Sequence, residues 1–282
     1  MAAKFVLSLD TEIAWGTFYW GGHKYYKTYF DRYRDLIKRF IFLLEKYEIS
    51  ATWAFVGHLM LEECDGVHKD ILRPRYSWFN NQDWHLHDPG TDYKKDPYWY
   101  APDVFEAVRN MSVHQEIGTH TFSHVVIGDK ECTPEIAISQ VGSCVKLGAE
   151  LGVKIESLVF PRDKVGFLSE FSKLGITNYR GQGVTWYKKI NGIGSRIGHV
   201  IDQFLALPPP VYKIKDLDYN YGLVNIPSSN FLLAVERYHR FIPIKSRILK
   251  AERGLKRAIK NDAIYHLAFH PFHLGSSDEL FN

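Results

Sequence analysis

The chain reads as an α/β protein built on a parallel sheet, either open or closed into a barrel. Three observations predict it. Short β-rich apolar runs alternate with segments of helical periodicity along the whole sequence. No internal repeat or low-complexity linker interrupts the alternation, so residues 1–282 read as a single domain. Several of the apolar runs end abruptly in ionisable residues, as expected where chemistry gathers at the C-terminal ends of parallel strands.

Residues 5–9 (Phe-Val-Leu-Ser-Leu) form the first predicted strand. Residues 33–47 place Leu36, Ile37, Phe40, Leu43 and Leu44 at helical spacing. Residues 51–56 read as a strand ending at Gly57. Residues 101–109 read as a helix with Pro102 in its first turn. A short strand follows at 114–118. Thr133 is the expected N-cap of a long helix running to about Leu151, with Glu135 in the first turn. Residues 157–160 read as a strand, 164–174 as a helix closed by Gly175, and 176–179 as another strand. The stretch 180–229, rich in Gly and Pro, resists assignment. Residues 244–260 form a basic amphipathic helix, and 264–269 a last strand.

Composition narrows the function classes. Of the 282 residues, 45% are hydrophobic and 24% charged, which is ordinary for a globular protein and argues against disorder. A net charge of only +3 gives no footprint for nucleic acid. The three cysteines, Cys64, Cys132 and Cys144, show no disulfide or zinc-ribbon spacing and suit a reducing compartment. The apolar run after Met1-Ala-Ala-Lys4 is too short for a signal peptide or a span, so a cytoplasmic location is expected. Aromatic residues reach 15%, a texture that suits a sugar site as well as an ordinary core.

The chemistry concentrates at three strand ends. The first supplies Asp10 and Glu12, the third His120 and His124, and the last His270 and His273. On a helical turn, histidines four apart share a face and can bite one ion. A carboxylate from another strand would complete a two-histidine, one-carboxylate set with open positions, suited to zinc, iron or cobalt. Asp10 and Glu12 could instead cap a helix, but Trp15, Gly16, Trp20, Gly21 and Gly22 follow, which reads as a wide loop. His270, before Pro271, could be a hydrogen-bonded core residue.

Taken together, Ser-Leu-Asp-x-Glu at 8–12, Glu-Ile-Gly-Thr-His-Thr-Phe-Ser-His at 116–124, Phe160-Pro161-Arg162 and a late strand ending in His270 resemble the NodB-like polysaccharide deacetylases, carbohydrate esterase family four. The resemblance runs from about residue 4 to 273 and is closest to the branch associated with surface-polysaccharide biosynthesis. It implies a distorted (β/α) barrel of about seven parallel strands. It also implies a metal-dependent N-deacetylase acting on an amino sugar. Asp10 matches the general base, Glu12, His120 and His124 the ligands of a divalent ion (zinc, with cobalt or iron as alternatives), and His270 the general acid. The chain departs from the family in two places. Thr11 replaces the second of two adjacent aspartates, so the carboxylate ligand must come from Glu12. Val159 occupies the arginine position of the third motif, which makes Arg162 the expected cation beside Asp10 and leaves Asp163 as a candidate to orient His270.

Aromatic residues of two loops, Trp84, Trp99, Tyr100 and Trp186, are expected to shape a sugar pocket; the alternative is a self-packed lid. The basic helix 244–260 could touch anionic lipid, which would suit a lipid- or nucleotide-linked N-acetylated sugar, or be a solvated outer helix. Two rival functions stay open: hydrolysis of another linear or cyclic amide, and a sugar-binding protein with a decayed site.

Overall fold

The structure is a computed structural model and describes residues 2–281. Nine strands form one sheet: β1 (Lys4–Thr11), β2 (Thr52–Phe55), β3 (Glu116–Thr119), β4 (Ser157–Val159), β5 (Asn178–Arg180), β6 (Tyr219–Asn220), β7 (Leu223–Asn225), β8 (Asn230–Phe231) and β9 (Ile264–Phe269). Their order is β6-β7-β5-β4-β3-β2-β1-β9-β8. Every pairing is parallel except the β6–β7 hairpin.

The sheet curls until its ends meet. β7 and β8 lie on one extended run that is hydrogen-bonded on both sides. Ile226 N–H donates to Tyr179 O (2.9 Å) and Ser228 N–H to Gly181 O (3.2 Å) beside β5. Ser229 N–H donates to His266 O (2.8 Å) and Leu232 N–H to Ala268 O (2.9 Å) beside β9. With β7–β8 counted as one stave, β1, β2, β3, β4, β5 and β9 complete a distorted barrel of the size that the family resemblance implies.

Side-chain alternation along β1 explains why its sequence can line a barrel. Leu7 and Leu9 are buried in the apolar layer, while Ser8 and Asp10 point to the opposite face, the interior. There Ser8 Oγ meets both His266 Nε2 (2.8 Å) and Arg180 Nη1 (3.0 Å). Outer helices cover the strands. Tyr33–Lys46 buries Tyr33, Leu36, Ile37 and Leu44, and Pro134–Glu150 starts where Thr133 Oγ1 accepts the Ile136 N–H (3.4 Å).

Two expectations change. The helix expected over 164–174 begins only at Leu168, because Arg162, Asp163 and Phe167 all take positive φ and break the helical path before it. The unassigned stretch 180–229 holds the helix Ile193–Phe204 and the β6–β7 hairpin. Its strands are two and three residues long. The helix leaves Ile193, Ile197 and Ile201 exposed, so neither element carries a buried pattern to read.

The basic helix Ile244–Asn261 buries two of its cations, Arg247 and Lys250, while Lys245, Lys256, Arg257 and Lys260 stay exposed. Lys250 Nζ reaches Asp202 Oδ2 (2.5 Å) and Leu207 O (3.0 Å), and Arg253 donates to Leu205 O (2.8 Å). Arg247 caps Leu233 O and His239 O, and Arg257 reaches Pro208 O (3.3 Å). These carbonyls end the preceding helix and loop and need donors. Among the described residues no helix is long and apolar enough to cross a membrane.

Candidate metal centre and its cleft

At the C-terminal ends of β1, β3, β5 and β9 the ionisable side chains converge. Glu12 Oε2 lies 3.0 Å from His124 Nε2 and 3.3 Å from His120 Nε2. One donor atom from each of the three residues falls within 4.8 Å of the others. Glu12, His120 and His124 are all buried. Gly16 makes room for the carboxylate: a Cβ at that position would lie 2.0 Å from Glu12 Oε1.

His120 and His124 are not on a helix. They flank a turn in which Thr121 (φ 64°) and His124 (φ 59°) are left-handed. Thr121 Oγ1 accepts the Val125 N–H (2.8 Å), Thr119 Oγ1 accepts the Thr121 N–H (3.1 Å), and Gln140 Oε1 accepts the Ser123 N–H (3.0 Å). These bonds hold a costly backbone in place, as happens where a functional turn is over-determined by its surroundings. The ring centroids end 4.9 Å apart.

The donor set fits a divalent ion. His120 Nδ1 donates to Val159 O (2.8 Å), which in the neutral ring leaves an unprotonated Nε2 facing the Glu12 carboxylate. A second hydrogen bond of this kind orients the histidine ligands of metal sites. Two imidazole nitrogens and a carboxylate directed at one point are a donor set that a divalent cation would accept. Burial opposes the charge on Glu12, but the imidazoles of His270 and His124 outweigh it and hold the carboxyl well below its ordinary value. For His124 burial prevails and favours the neutral ring, the form that ligates.

Arg180, at the end of β5, clamps Asp10 with both terminal nitrogens: Nη1 to Oδ1 (2.5 Å) and Nη2 to Oδ2 (2.7 Å). Burial opposes the charge on Asp10, and the guanidinium more than offsets it, keeping the carboxyl below its ordinary value. The arginine is itself set by Ser8, which bonds the ring of His266; burial pushes that ring down to about 3 and keeps it neutral. Arg162, expected in this role, instead lies with its guanidinium 5.3 Å from the Trp78 ring centroid and 5.9 Å from that of Tyr19. The positive φ of 58° at Arg162 turns it away from the strand direction. Asp163 faces Arg180 Nη2 (3.8 Å), and the nearest partner of His270 Nδ1 is His273 Nδ1 (3.4 Å). His270 Nε2 lies 3.1 Å from Glu12 Oε1 and 3.8 Å from Asp10 Oδ2.

A cleft of about 370 Å³ opens over these groups, lined among others by Tyr19, Trp20, Phe231 and Phe272 and by Arg162 and Glu236. The expected sugar-binding rings stand elsewhere. Trp84 is fully buried with its indole N–H donating to Ser123 O (2.7 Å), so it braces the histidine turn. Trp99 is buried against Trp15, and the Tyr100 hydroxyl meets Cys64 Sγ (3.0 Å). Trp186 lines a neighbouring cavity with Asp202 and Lys250. The faces of Trp84, Trp99 and Tyr100 went to core packing because their loop folds back on the barrel, whereas Trp186 stays 45% exposed. Arg180 was not singled out from the sequence although it obeys the same rule as the others, a polar residue at the C-terminal end of a short strand.

No protein-family model matches the sequence, and no curated protein matches it. Solved structures do. A Mycobacterium smegmatis protein provisionally named a polysaccharide deacetylase superposes with a TM-score of 0.58 at 11% identity, over 98% of this chain and 80% of that one. The chain has the polysaccharide-deacetylase fold. A 4-α-glucanotransferase from Thermococcus litoralis superposes with a TM-score of 0.52 at 11% identity, over 100% of this chain but only 35% of that longer one. At such identity the likeness concerns the fold, and the chemistry must be argued from the side chains.

Proposed function

We propose that the chain is a metal-dependent hydrolase that removes the acetyl group from an N-acetylated amino sugar in a glycan or glycan precursor. The observation that carries the proposal is the convergence of Glu12, His120 and His124 within 4.8 Å, beside a second carboxylate locked by an arginine. Glu12, His120 and His124 would hold the ion, zinc by the chemistry of the set with cobalt or iron as alternatives, and it would supply Lewis acidity toward the acyl oxygen and the attacking water.

The remaining steps belong to the chain. Asp10 accepts the proton of the attacking water. Arg180 keeps that carboxylate ionised and fixes its orientation. A carboxylate so paired is a weak base, so it deprotonates only a water whose acidity is already raised at the site. His270, on the same wall, carries a proton to the departing nitrogen from Nε2. The rings of Tyr19, Trp20, Phe231 and Phe272 offer apolar faces to a sugar, and Glu236 Oε2, buried without a partner, is free to accept a sugar hydroxyl. Arg162 at the cleft could meet the phosphate of a lipid- or nucleotide-linked substrate.

The likeness to a glucanotransferase raises glycosyl transfer as a second reading. That chemistry uses a protonated carboxylic acid paired with a carboxylate. Here Asp10 and Glu12 are both held ionised, which favours amide hydrolysis. The test is acetate release by the purified chain, supplied with zinc or cobalt, from a panel of N-acetylated oligosaccharides and sugar nucleotides. Release that stops on chelation supports the proposal. A metal-loaded protein that frees no acetate from any of them sinks it and returns the choice to another amide or to sugar binding.

A further inference from the structure

A second group of metal-type donors lies outside the cleft. His58 follows β2, and Cys64, His68 and Asp88 come from the long loop that leads to the helix Pro102–Arg109. His58 Nε2 is 2.9 Å from Asp88 Oδ2 and 3.3 Å from Cys64 Sγ. His68 Nε2 is 2.7 Å from the same Asp88 oxygen, and Cys64 Sγ is 3.5 Å from Asp88 Oδ1. One donor from each of the four residues falls within 4.8 Å of the others. The side chains of His58 and Asp88 are fully buried and that of His68 is 7% exposed.

The arrangement is convergent, and that separates it from a cysteine–histidine–aspartate nucleophile. In such a relay the carboxylate holds the ring nitrogen remote from the thiol. Here His58 turns one nitrogen, Nε2, toward both the thiol and the carboxylate, and His68 aims its Nε2 at the same carboxylate oxygen. His58 Nδ1 is occupied by Trp99 O at 3.1 Å, so the neutral ring carries its proton there and presents a lone pair inward. The sulfur accepts the Gly66 N–H (3.3 Å), the Tyr100 hydroxyl lies 3.0 Å away, and a protonated thiol would donate to Asp88. Ligand–metal bonds of 2.0–2.3 Å in a tetrahedron put donors roughly 3.3–3.7 Å apart, about half an ångström or more wider than the 2.7 and 2.9 Å contacts of Asp88 seen here, so the group would open slightly around an ion.

The loop is built to bring these four together. Cys64 N–H donates to Thr91 O (3.0 Å), and Gly66 and Gly90, with φ of 73° and 58°, pass so closely that a Cβ on Gly66 would lie 3.1 Å from Gly90 Cα. Asp88 Oδ1 also accepts the Gly90 N–H (3.0 Å). The cluster packs beneath the loop that carries Glu12, with the Trp15 ring 4.6 Å from that of His58.

We infer that His58, Cys64, His68 and Asp88 form a closed, structural zinc site that staples the 57–100 loop beneath the cleft. One thiolate and one carboxylate neutralise the ion, and two imidazoles complete a four-coordinate shell with no position left for water or substrate. The inference stands apart from the proposed deacetylation and would survive its failure.

The experiment uses the full chain and zinc alone as the probe. Cys64 is alkylated with iodoacetamide after chelation, after chelation with zinc restored, and without chelation, and the modification is mapped by mass spectrometry. Zinc is expected to protect Cys64 at least tenfold. A His120→Ala, His124→Ala variant is expected to keep about one zinc per chain, and its cobalt form to show thiolate-to-metal charge-transfer absorption. Loss of that absorption in the same variant carrying Cys64→Ser completes the assignment. Alkylation of Cys64 at a rate indifferent to zinc, with no metal retained by the His120→Ala, His124→Ala variant, overturns it whether or not the Cys64→Ser chain folds.

Discussion

The two donor groups, Glu12–His120–His124 and His58–Cys64–His68–Asp88, sit on either side of the loop that holds Trp15, yet they are assembled in opposite ways. The first takes its donors from the ends of β1 and β3 and faces a cleft. It supplies three ligands, no thiolate, and a neighbouring carboxylate fixed by Arg180. The second draws three of its four donors from one loop, includes a sulfur, and contributes no residue to the cleft lining. An ion held by the first would keep positions open to water and substrate; an ion held by the second would only hold chain together. Donor count and access, more than the metal, separate a reactive centre from a structural one.

The largest effect that would sharpen this contrast is on turnover. Asp10→Asn should cut acetate release by about 10²–10⁴-fold, the usual worth of a general base, while Cys64 stays protected by zinc. Near-normal turnover in that variant would remove Asp10 from the mechanism. Arg180→Met should next cost about 3–5 kcal/mol in chemical denaturation, because it strands a buried carboxylate. It should also move the acid limb of the kcat/KM profile upward. Without the guanidinium, burial is opposed only by His120 and His270, and the Asp10 carboxyl protonates at higher pH. An unmoved limb would mean that Asp10 is not the group titrating. The sign for stability runs the same way: the folded value is depressed, so the pair's contribution is present above the unfolded carboxylate range and is lost as pH falls through the lower folded value.

Smaller effects test the two sites separately. Gly16→Ala should weaken metal binding at the cleft by about 10–100-fold by displacing Glu12, and leave Cys64 protection unchanged; equal loss at both sites would show that they are one unit. Gly66→Ala, at φ 73°, should cost about 1–3 kcal/mol and expose Cys64 to alkylation. Cys132 and Cys144 should resist the reagent in every folded variant, since burial pushes both thiols up to about 12.

Much of the cleft was legible because its residues follow a one-dimensional rule. A polar residue at or shortly beyond the C-terminal end of a buried strand in a parallel barrel stands at the mouth, as Asp10, Glu12, His120, His124 and His270 do. The same rule covers Arg180, but β5 is only three residues long and runs into the stretch that resists assignment, so the residue did not stand out. Trp84, Trp99 and Tyr100 misled because aromatic composition does not say whether a ring faces sugar or core. The four-donor cluster was invisible for a different reason: Cys64 and Asp88 are 24 residues apart in a loop without periodicity, and only the close pass of Gly66 and Gly90 joins them.

By itself the sequence determined the alternation of strands and helices, the parallel sheet and the residues at its strand ends, because burial periodicity and strand direction are local properties of the chain. The tertiary structure alone decided which cation pairs with Asp10, which rings reach the cleft, that the basic helix buries Arg247 and Lys250, and that a loop cysteine meets two histidines and an aspartate. Each of these is a contact between residues distant in sequence, set by how the barrel closes and how the loop folds over it, and no periodicity in the chain encodes that closure.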